Sequence, residues 1–262
     1  MRSIATAALI GMSLGFGSVS YADTLLGIYV GGGSISYDLS GDFTDLEGGS
    51  SSIDFDDDLG LEGDSGSYFY IALEHGIPIL PNVRFARSEI EESASVVLSD
   101  SIEFDDITFP AGAPVRSKLD FSHNDYTFYY EVLDNWVSLD LGLTARQFDG
   151  ELSASSPLLS ETASEDLDFV APLLYGSAQF ELPITGLYVG VQGNWIGAGG
   201  AQLYDLWGKV GYTFAFGLGL EAGMRKLALE LDDVEETMKS AGITISESPA
   251  DIGKTLFNKL NS

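Results

Sequence analysis

The stretch TFYYEVLDNWVSLDLGLTARQFDG, residues 127–150, alternates with period two on both sides of the turn Leu133-Asp134-Asn135. After Trp136, one face carries Val137, Leu139, Leu141, Leu143 and Ala145, all apolar. The other carries Ser138, Asp140, Gly142, Thr144 and Arg146, all small, polar or charged. Alternation alone fits any half-buried strand, so the rest of the chain must decide which face meets the core. Aromatic residues crowd the approach to the turn (Tyr126, Phe128, Tyr129, Tyr130, Trp136). A bilayer interface holds amphipathic rings at that depth. The segment reads as two antiparallel strands of a transmembrane β-barrel.

Working outward, nine alternating segments are predicted, at 25–37, 67–75, 83–98, 119–132, 136–148, 169–182, 187–195, 203–214 and 218–231. The facing of the third is ambiguous, because Arg84 and Arg87 have opposite parity. Long polar connections (38–64, 99–118, 150–168) alternate with short ones such as Pro183-Ile184-Thr185-Gly186, the last outer loop (197–202) being brief. Long loops kept at one end suit an outer-membrane barrel and not a secreted β-sandwich or lipocalin-like barrel, which is the alternative. Open sheet edges cannot sit in hydrocarbon and both chain ends of bacterial barrels face the periplasm, so the strand number should be even. The fold expected is an all-β, antiparallel up-and-down transmembrane barrel of about ten strands, the tenth beginning after Asp232-Asp233.

The chain opens MRSIATAALIGMSLGFGSVSYADTLL. Arg2 forms a short positive region, residues 4–16 an apolar run too short for a spanning helix, and Ser20-Tyr21-Ala22 a cleavage pattern. Three regions result: a signal peptide at 1–22 cleaved after Ala22, a barrel at 23–231, and an atypical tail at 232–262. Removing the leader removes only Arg2 of the charges, leaving 11 basic against 40 acidic residues, net −29. Nucleic acid is excluded as a partner, since it needs a basic face. Cys is absent, which excludes disulfides, thiolate metal sites and a lipoprotein anchor.

Little of the chain suggests chemistry. Asp54-Phe55-Asp56-Asp57-Asp58 invites a calcium reading, but an EF-hand begun at Asp54 needs Gly at its sixth position and Glu at its twelfth. Leu59 and Ser65 stand there, so a solvated acidic outer loop is expected, with only loose divalent-cation binding. A barrel hydrolase would need a His–carboxylate or Ser–His pair at the outer rim. His123 shares a face with Asp125, while Ser122 points the other way. His75 falls at the periplasmic end, where an interfacial structural role is the default. Parity places Glu74, Glu131, Asp140, Arg146, Gln179, Glu181, Lys209, Glu221 and Arg225 in the lumen, with Tyr29, Tyr188 and Trp207 as fillers. A ten-strand barrel is narrow, so these charges should pair across it, and any conductance should be small and cation-preferring.

Several stretches support a resemblance: Asp23-Thr24-Leu25-Leu26-Gly27, Ala72-Leu73-Glu74-His75 before Ile77-Pro78-Ile79-Leu80-Pro81-Asn82, 129–136 (YYEVLDNW) and 218–223 (LGLEAG). Over about residues 23–234 the chain resembles a family of small proteobacterial outer-membrane β-barrel proteins of unassigned activity. The resemblance implies an outer-membrane location and a barrel, and carries over no catalytic residue. The end departs from the pattern, closing on Lys259-Leu260-Asn261-Ser262 and not on an aromatic. A helix is predicted over 232–241, a short strand at Ile243-Thr244-Ile245, and a second helix capped by Ser248-Pro249. Residues 241–260, AGITISESPADIGKTLFNKL, weakly resemble the end of a succinyl-CoA ligase α subunit.

The expected function is therefore structural or interactive, without catalytic, cofactor-binding or metal residues and without a cofactor. A narrow cation-preferring channel, a soluble exported β protein and a barrel hydrolase are the alternatives. Expected partners are outer-membrane lipid and lipopolysaccharide, the barrel assembly machinery, and divalent cations at the acidic loops, with the protein a monomer.

Overall fold

The computed structural model describes residues 4–16, 26–44, 52–160, 162–198, 201–214 and 219–232. In chain order the strands are β1 (Ile4–Phe16), β2 (Leu26–Ser40), β3 (Asp42–Thr44), β4 (Ser52–Asp54), β5 (Ser65–His75), β6 (Asn82–Glu89), β7 (Glu91–Val97), β8 (Ile102–Phe104) and β9 (Ile107–Phe109). They continue with β10 (Pro114–Asp120), β11 (His123–Asp134), β12 (Val137–Phe148), β13 (Glu151–Ser155), β14 (Thr162–Asp166), β15 (Val170–Glu181), β16 (Leu187–Ala198), β17 (Ala201–Thr213) and β18 (Gly219–Asp232). Ten of them close a barrel in the order β1-β18-β17-β16-β15-β12-β11-β6-β5-β2, every pairing antiparallel. Closure pairs both edges of each strand, which a structure in hydrocarbon requires.

The parity read from the sequence decides what each wall residue faces. On β12, Leu141 and Leu143 are exposed on the outside, Leu143 at 61%, while Thr144, Arg146 and Phe148 are buried inside. Ile28, Val30, Phe69, Ile71, Phe128, Leu174, Val189, Leu206, Val210 and Met224 continue the exposed apolar belt. A belt of this extent is far beyond the scattered apolar residues of a soluble surface, and matches the lipid-facing band of a membrane barrel. At the short-turn end, Trp136 packs edge-on against Phe180 at 5.3 Å, and the Tyr130 hydroxyl donates to the Ile79 carbonyl at 3.1 Å. The ambiguity at the third segment is resolved. Arg84 is buried in the lumen over the Tyr70 ring, whereas Arg87 lies on the outer wall with Glu89 and Asn124.

Two expectations are corrected. First, the third and fourth segments are each broken in two: Phe121 N–H donates to Ile90 O at 2.8 Å and Ile90 N–H to Ser122 Oγ at 3.2 Å, separating β6 from β7 and β10 from β11. Second, the polar connections are not solvated loops. β14-β13-β10-β7 form a four-stranded sheet, β3–β4 and β8–β9 form hairpins, and together they cap one end of the barrel. Ile53, Leu59, Leu61, Phe104, Phe109 and Val115 are buried there, in one core with Phe148, Leu173, Leu203 and Leu227 of the barrel mouth. The β8–β9 turn is Asp105-Asp106, both at positive φ (50 and 56°), the conformation that a two-residue type I′ hairpin turn requires.

The tenth barrel position is filled from the other end of the chain than expected. β1 pairs with β18 from Ile4↔Asp232 to Gly15↔Glu221 and with β2 from Ala8↔Ser40 to Phe16↔Gly32. This is the same apolar run that reads as the leader. The strand, helices and ligase-like segment expected after Asp232 lie outside the described residues. A chain beginning at Asp23 has no β1, and its β18 and β2 must be joined by another strand. The intact mass of exported protein separates the two cases: cleavage predicts a mass beginning at Asp23, and retention of Met1 or Ile4 makes β1 part of the mature barrel.

Candidate functional site

The densest polar arrangement lies inside the barrel just below the cap. Antiparallel pairing of β11 with β12 sets Asp125 directly opposite Arg146, both on the inward face. Arg146 Nε and Nη2 donate to Asp125 Oδ1 and Oδ2, each at 2.7 Å, a bidentate pair. The same Nη2 reaches Asp205 on β17, and Asp205 in turn accepts Arg225 Nε at 2.8 Å and Nη2 at 2.7 Å. Arg225 Nη1 donates to Ser88 Oγ at 2.8 Å, and Nη2 lies 3.1 Å from His123 Nε2. A guanidinium can only donate, so His123 Nε2 accepts and Nδ1 carries the proton toward the Phe121 carbonyl, 3.1 Å away. Two carboxylates and two guanidiniums balance in charge, which burial demands.

This network bridges the lumen. β18 and β11 stand five places apart in either direction around the ten-strand ring, so the Arg225–His123 contact spans a diameter. Further toward the short turns, Glu221 accepts the hydroxyls of Tyr68 (3.1 Å) and Tyr188 (3.2 Å) and lies 3.6 Å from Lys209 Nζ. Trp207 fills the space beside them, edge-on to Tyr68 at 4.8 Å. Tyr188 faces Gly211 across the β16–β17 pair, where a Cβ would stand 2.1 Å from the ring, so only glycine admits this filler. Nearer the turns, Tyr129 donates to Glu74 at 2.7 Å and Asn82 to Glu131 at 3.0 Å.

The lumen reading is thus met by Glu74, Arg146, Lys209, Glu221 and Arg225 and by the fillers Tyr188 and Trp207. Gln179 and Glu181 bond each other at 3.4 Å near the turns, Glu181 in an exposed position. Asp140 and Tyr29 are half-buried. Asp205 is absent from the predicted lumen set, although it shares parity with Trp207 and Lys209 and could be found by that sign; Arg84, whose facing is ambiguous in the sequence, is in the lumen. His75 sits at the turn end, its Nδ1 accepting the Ile77 N–H at 3.3 Å.

His123, Asp125 and Asp205 offer ligand atoms within 4.8 Å of one another, the spacing of a metal site. Their lone pairs are already directed at Arg146 and Arg225, and a dication would have to displace both cations, so the donor set fits an ion-pair network better. Nor do the residues suit hydrolysis: His123 is 1% exposed, Asp125 is held by Arg146, and Ser122 Oγ accepts a backbone N–H on another face. In the cap, Asp54 Oδ1 accepts the N–H groups of Asp56 and Asp57 at 2.9 Å, and Asp58 Oδ2 that of Asp54. These carboxylates cap their own turn, with Phe55, Leu59 and Leu61 packed beneath.

Glu92 is the odd group in the cap. It projects from β7 onto the backbone of 62–64, Oε1 accepting the Gly63 N–H at 3.0 Å, while buried Oε2 makes no hydrogen bond of good geometry among the described residues. Gly63 is irreplaceable there, at φ 116° with a Cβ position 2.2 Å from Tyr37 O. Burial pushes the Glu92 carboxyl above the ordinary glutamate range, partly offset by the Gly63 hydrogen bond. Because the folded form binds this proton more tightly than the unfolded form, its contribution is fully present below the ordinary glutamate value and is lost as pH rises through the raised one. Glu92→Gln is expected to make cap stability, followed by hydrogen exchange of β7 and β10, independent of pH in that window and higher at neutral pH. A wild-type cap that grows more stable as pH rises there contradicts this.

No family model and no curated protein matches the chain. Solved structures with a similar outline include the CymD monoaromatic hydrocarbon channel, at 9% identity over 88% of each chain with a TM-score of 0.33. The translocator domain of the autotransporter NalP from Neisseria meningitidis is 11% identical over 87% of each chain, TM-score 0.34. The outer membrane protease OmpT from Escherichia coli is 12% identical over 88% of this chain and 96% of its own, TM-score 0.33. No family, activity or substrate passes from them to this chain.

Proposed function

We propose that this chain is an outer-membrane β-barrel protein with a sealed lumen, whose role is structural or interactive and is exercised through its extracellular cap. The belt of exposed apolar side chains supports the membrane placement, and the longer connections at the cap end support an outward-facing cap. The observation that carries the sealed lumen is the Arg225–His123 contact across the barrel diameter, flanked by the Asp125–Arg146–Asp205 pairs. A pore needs a continuous file of water, and these side chains occupy the cross-section instead. Assembly would use the barrel assembly machinery, and the protein would act as a monomer among lipid and lipopolysaccharide.

Planar-bilayer recording of the folded protein tests this reading. No resolved current steps are expected, in contrast to the narrow cation-preferring channel that a partly open lumen of this charge would give. Reproducible cation-selective steps, enlarged in Arg225→Ala, would overturn the sealed lumen. A hydrolase reading would instead require a detectable lipase or protease activity abolished by both His123→Ala and Asp125→Ala.

A further inference from the structure

The outer wall does not stop at the lipid. β7, β10, β13 and β14 extend the parity of β6, β11, β12 and β15, so residues 91, 93, 95 on β7 and 120, 118, 116 on β10 continue the outward face. The opposite face of the cap sheet (Glu92, Val115, Leu119, Leu152, Ala154, Ala163) is buried against the cap core. Moving away from the barrel, the first outward row is acidic, Glu91–Asp120–Glu151–Asp166. The second is Ser93–Lys118–Ser153–Ser164, and the third Ser95–Arg116–Ser155–Thr162. Two cations thus stand in the middle of a field of hydroxyls. Ser93, Ser95, Arg116, Lys118, Ser153 and Ser155 line a shallow, open depression on this wall.

These two cations are exceptional in so acidic a chain. Arg146, Lys209 and Arg225 are engaged in the lumen, and Arg84 stacks there on Tyr70. Arg87 pairs with Glu89, and Lys226 lies over the Tyr204 ring. Among the described residues, Arg116 and Lys118 are exposed and make no hydrogen bond or ion pair. Their position fits a particular occupant. Lys118 lies six residues beyond Asn124 at the outer rim, at most about 20 Å along an extended strand. With the barrel in an outer membrane and the cap outward, as proposed above, that band would stand beside the sugars of the surrounding leaflet and above its acyl chains. Hydroxyls in ordered rows suit saccharide hydrogen bonding, and a guanidinium suits bidentate contact with phosphate.

We infer that the Arg116/Lys118 face of the cap sheet binds the phosphorylated core saccharide of lipopolysaccharide in the adjoining leaflet. Arg116 takes a phosphate group bidentately, Lys118 contributes a second positive charge, and the flanking serines bond the sugar hydroxyls. The acidic row beneath disfavours polyanions that do not present their charge at the height of the cations. The inference rests on the outer-membrane reading, so its test uses purified protein in detergent, where location plays no part.

Binding of full-length folded protein to lipopolysaccharide with intact core phosphates would be titrated beside the same material stripped of phosphate. The variants are Arg116→Ala/Lys118→Ala, Arg116→Glu/Lys118→Glu, and Arg87→Ala as a control outside the depression. The expected result is about tenfold weaker binding for the double alanine variant and still weaker binding for the double glutamate variant. Arg87→Ala and wild type should agree, and phosphate removal should weaken wild type while leaving the double alanine variant little changed. All three variants should keep the gel shift of a folded barrel, since Arg116 and Lys118 are exposed and Arg87 lies on the outer wall. Equal affinity of the double variants and wild type, indifference to phosphate removal, or equally tight binding of a free polyanion such as polygalacturonate would each overturn the inference.

Discussion

Arg146→Ala is expected to cost the folded barrel about 3–5 kcal/mol, the usual penalty for removing one partner of a buried ion pair. The guanidinium is fully buried and holds both Asp125 and Asp205, so its loss leaves two carboxylates facing each other with only Arg225 to offset them. Unfolding in urea, followed by tryptophan fluorescence in detergent, should show a large fall in the midpoint. The informative partner is Asp125→Leu/Arg146→Met, which removes one charge of each sign. It leaves the bidentate Asp205–Arg225 pair intact, with Arg225 Nε and Nη2 donating to separate oxygens at 2.8 and 2.7 Å. That double variant should lose markedly less than Arg146→Ala alone. Equal losses would mean that packing, and not charge balance, is what Arg146 contributes.

Phe104→Asp is expected to unfold the cap while sparing the barrel. Phe104 is 1% exposed and belongs with Phe109 to the β8–β9 hairpin, at the centre of the cap core. Truncating a buried phenylalanine costs about 3–5 kcal/mol, and a carboxylate in its place adds an unpaired buried charge. The barrel wall below is held by its own ladders and by the lumen network, none of which uses Phe104. Protease added to folded protein should therefore cut within residues 91–120 of the variant and not of wild type, while the barrel keeps its resistance. Loss of both together would show that cap and barrel fold as one unit, through the shared core at Phe148, Leu173, Leu203 and Leu227.

What could be read in advance follows from the physics of strands. A period of two leaves little freedom, so once residues 137–146 are assigned to two faces, the inward positions of Arg146, Lys209, Glu221 and Arg225 follow. Their partners do not. Arg146 meets Asp205 because the strand tilt and register bring β17 near β12 with two strands between them, and no local pattern encodes that. The third segment keeps strict parity, but its facing is ambiguous in the sequence because it carries a cation on each side: Arg87 stands outside beside Glu89 while Arg84 is sheltered inside. The cap was missed because Ile53, Phe55, Leu59 and Leu61 are spaced irregularly among carboxylates, and a turn hides its buried side better than a strand does. β1 escaped for the opposite reason: residues 4–16 are apolar or small at both parities, so they read as a leader core and not as a wall.

Electrophoresis of the outer-membrane fraction with and without boiling tests the central claim most directly. The protein should be recovered there by detergent, run as a fast compact band unheated, and shift to its unfolded mobility on boiling. Recovery of unshifted protein in the soluble periplasmic fraction would contradict it, and would make the apolar belt the buried surface of some other assembly.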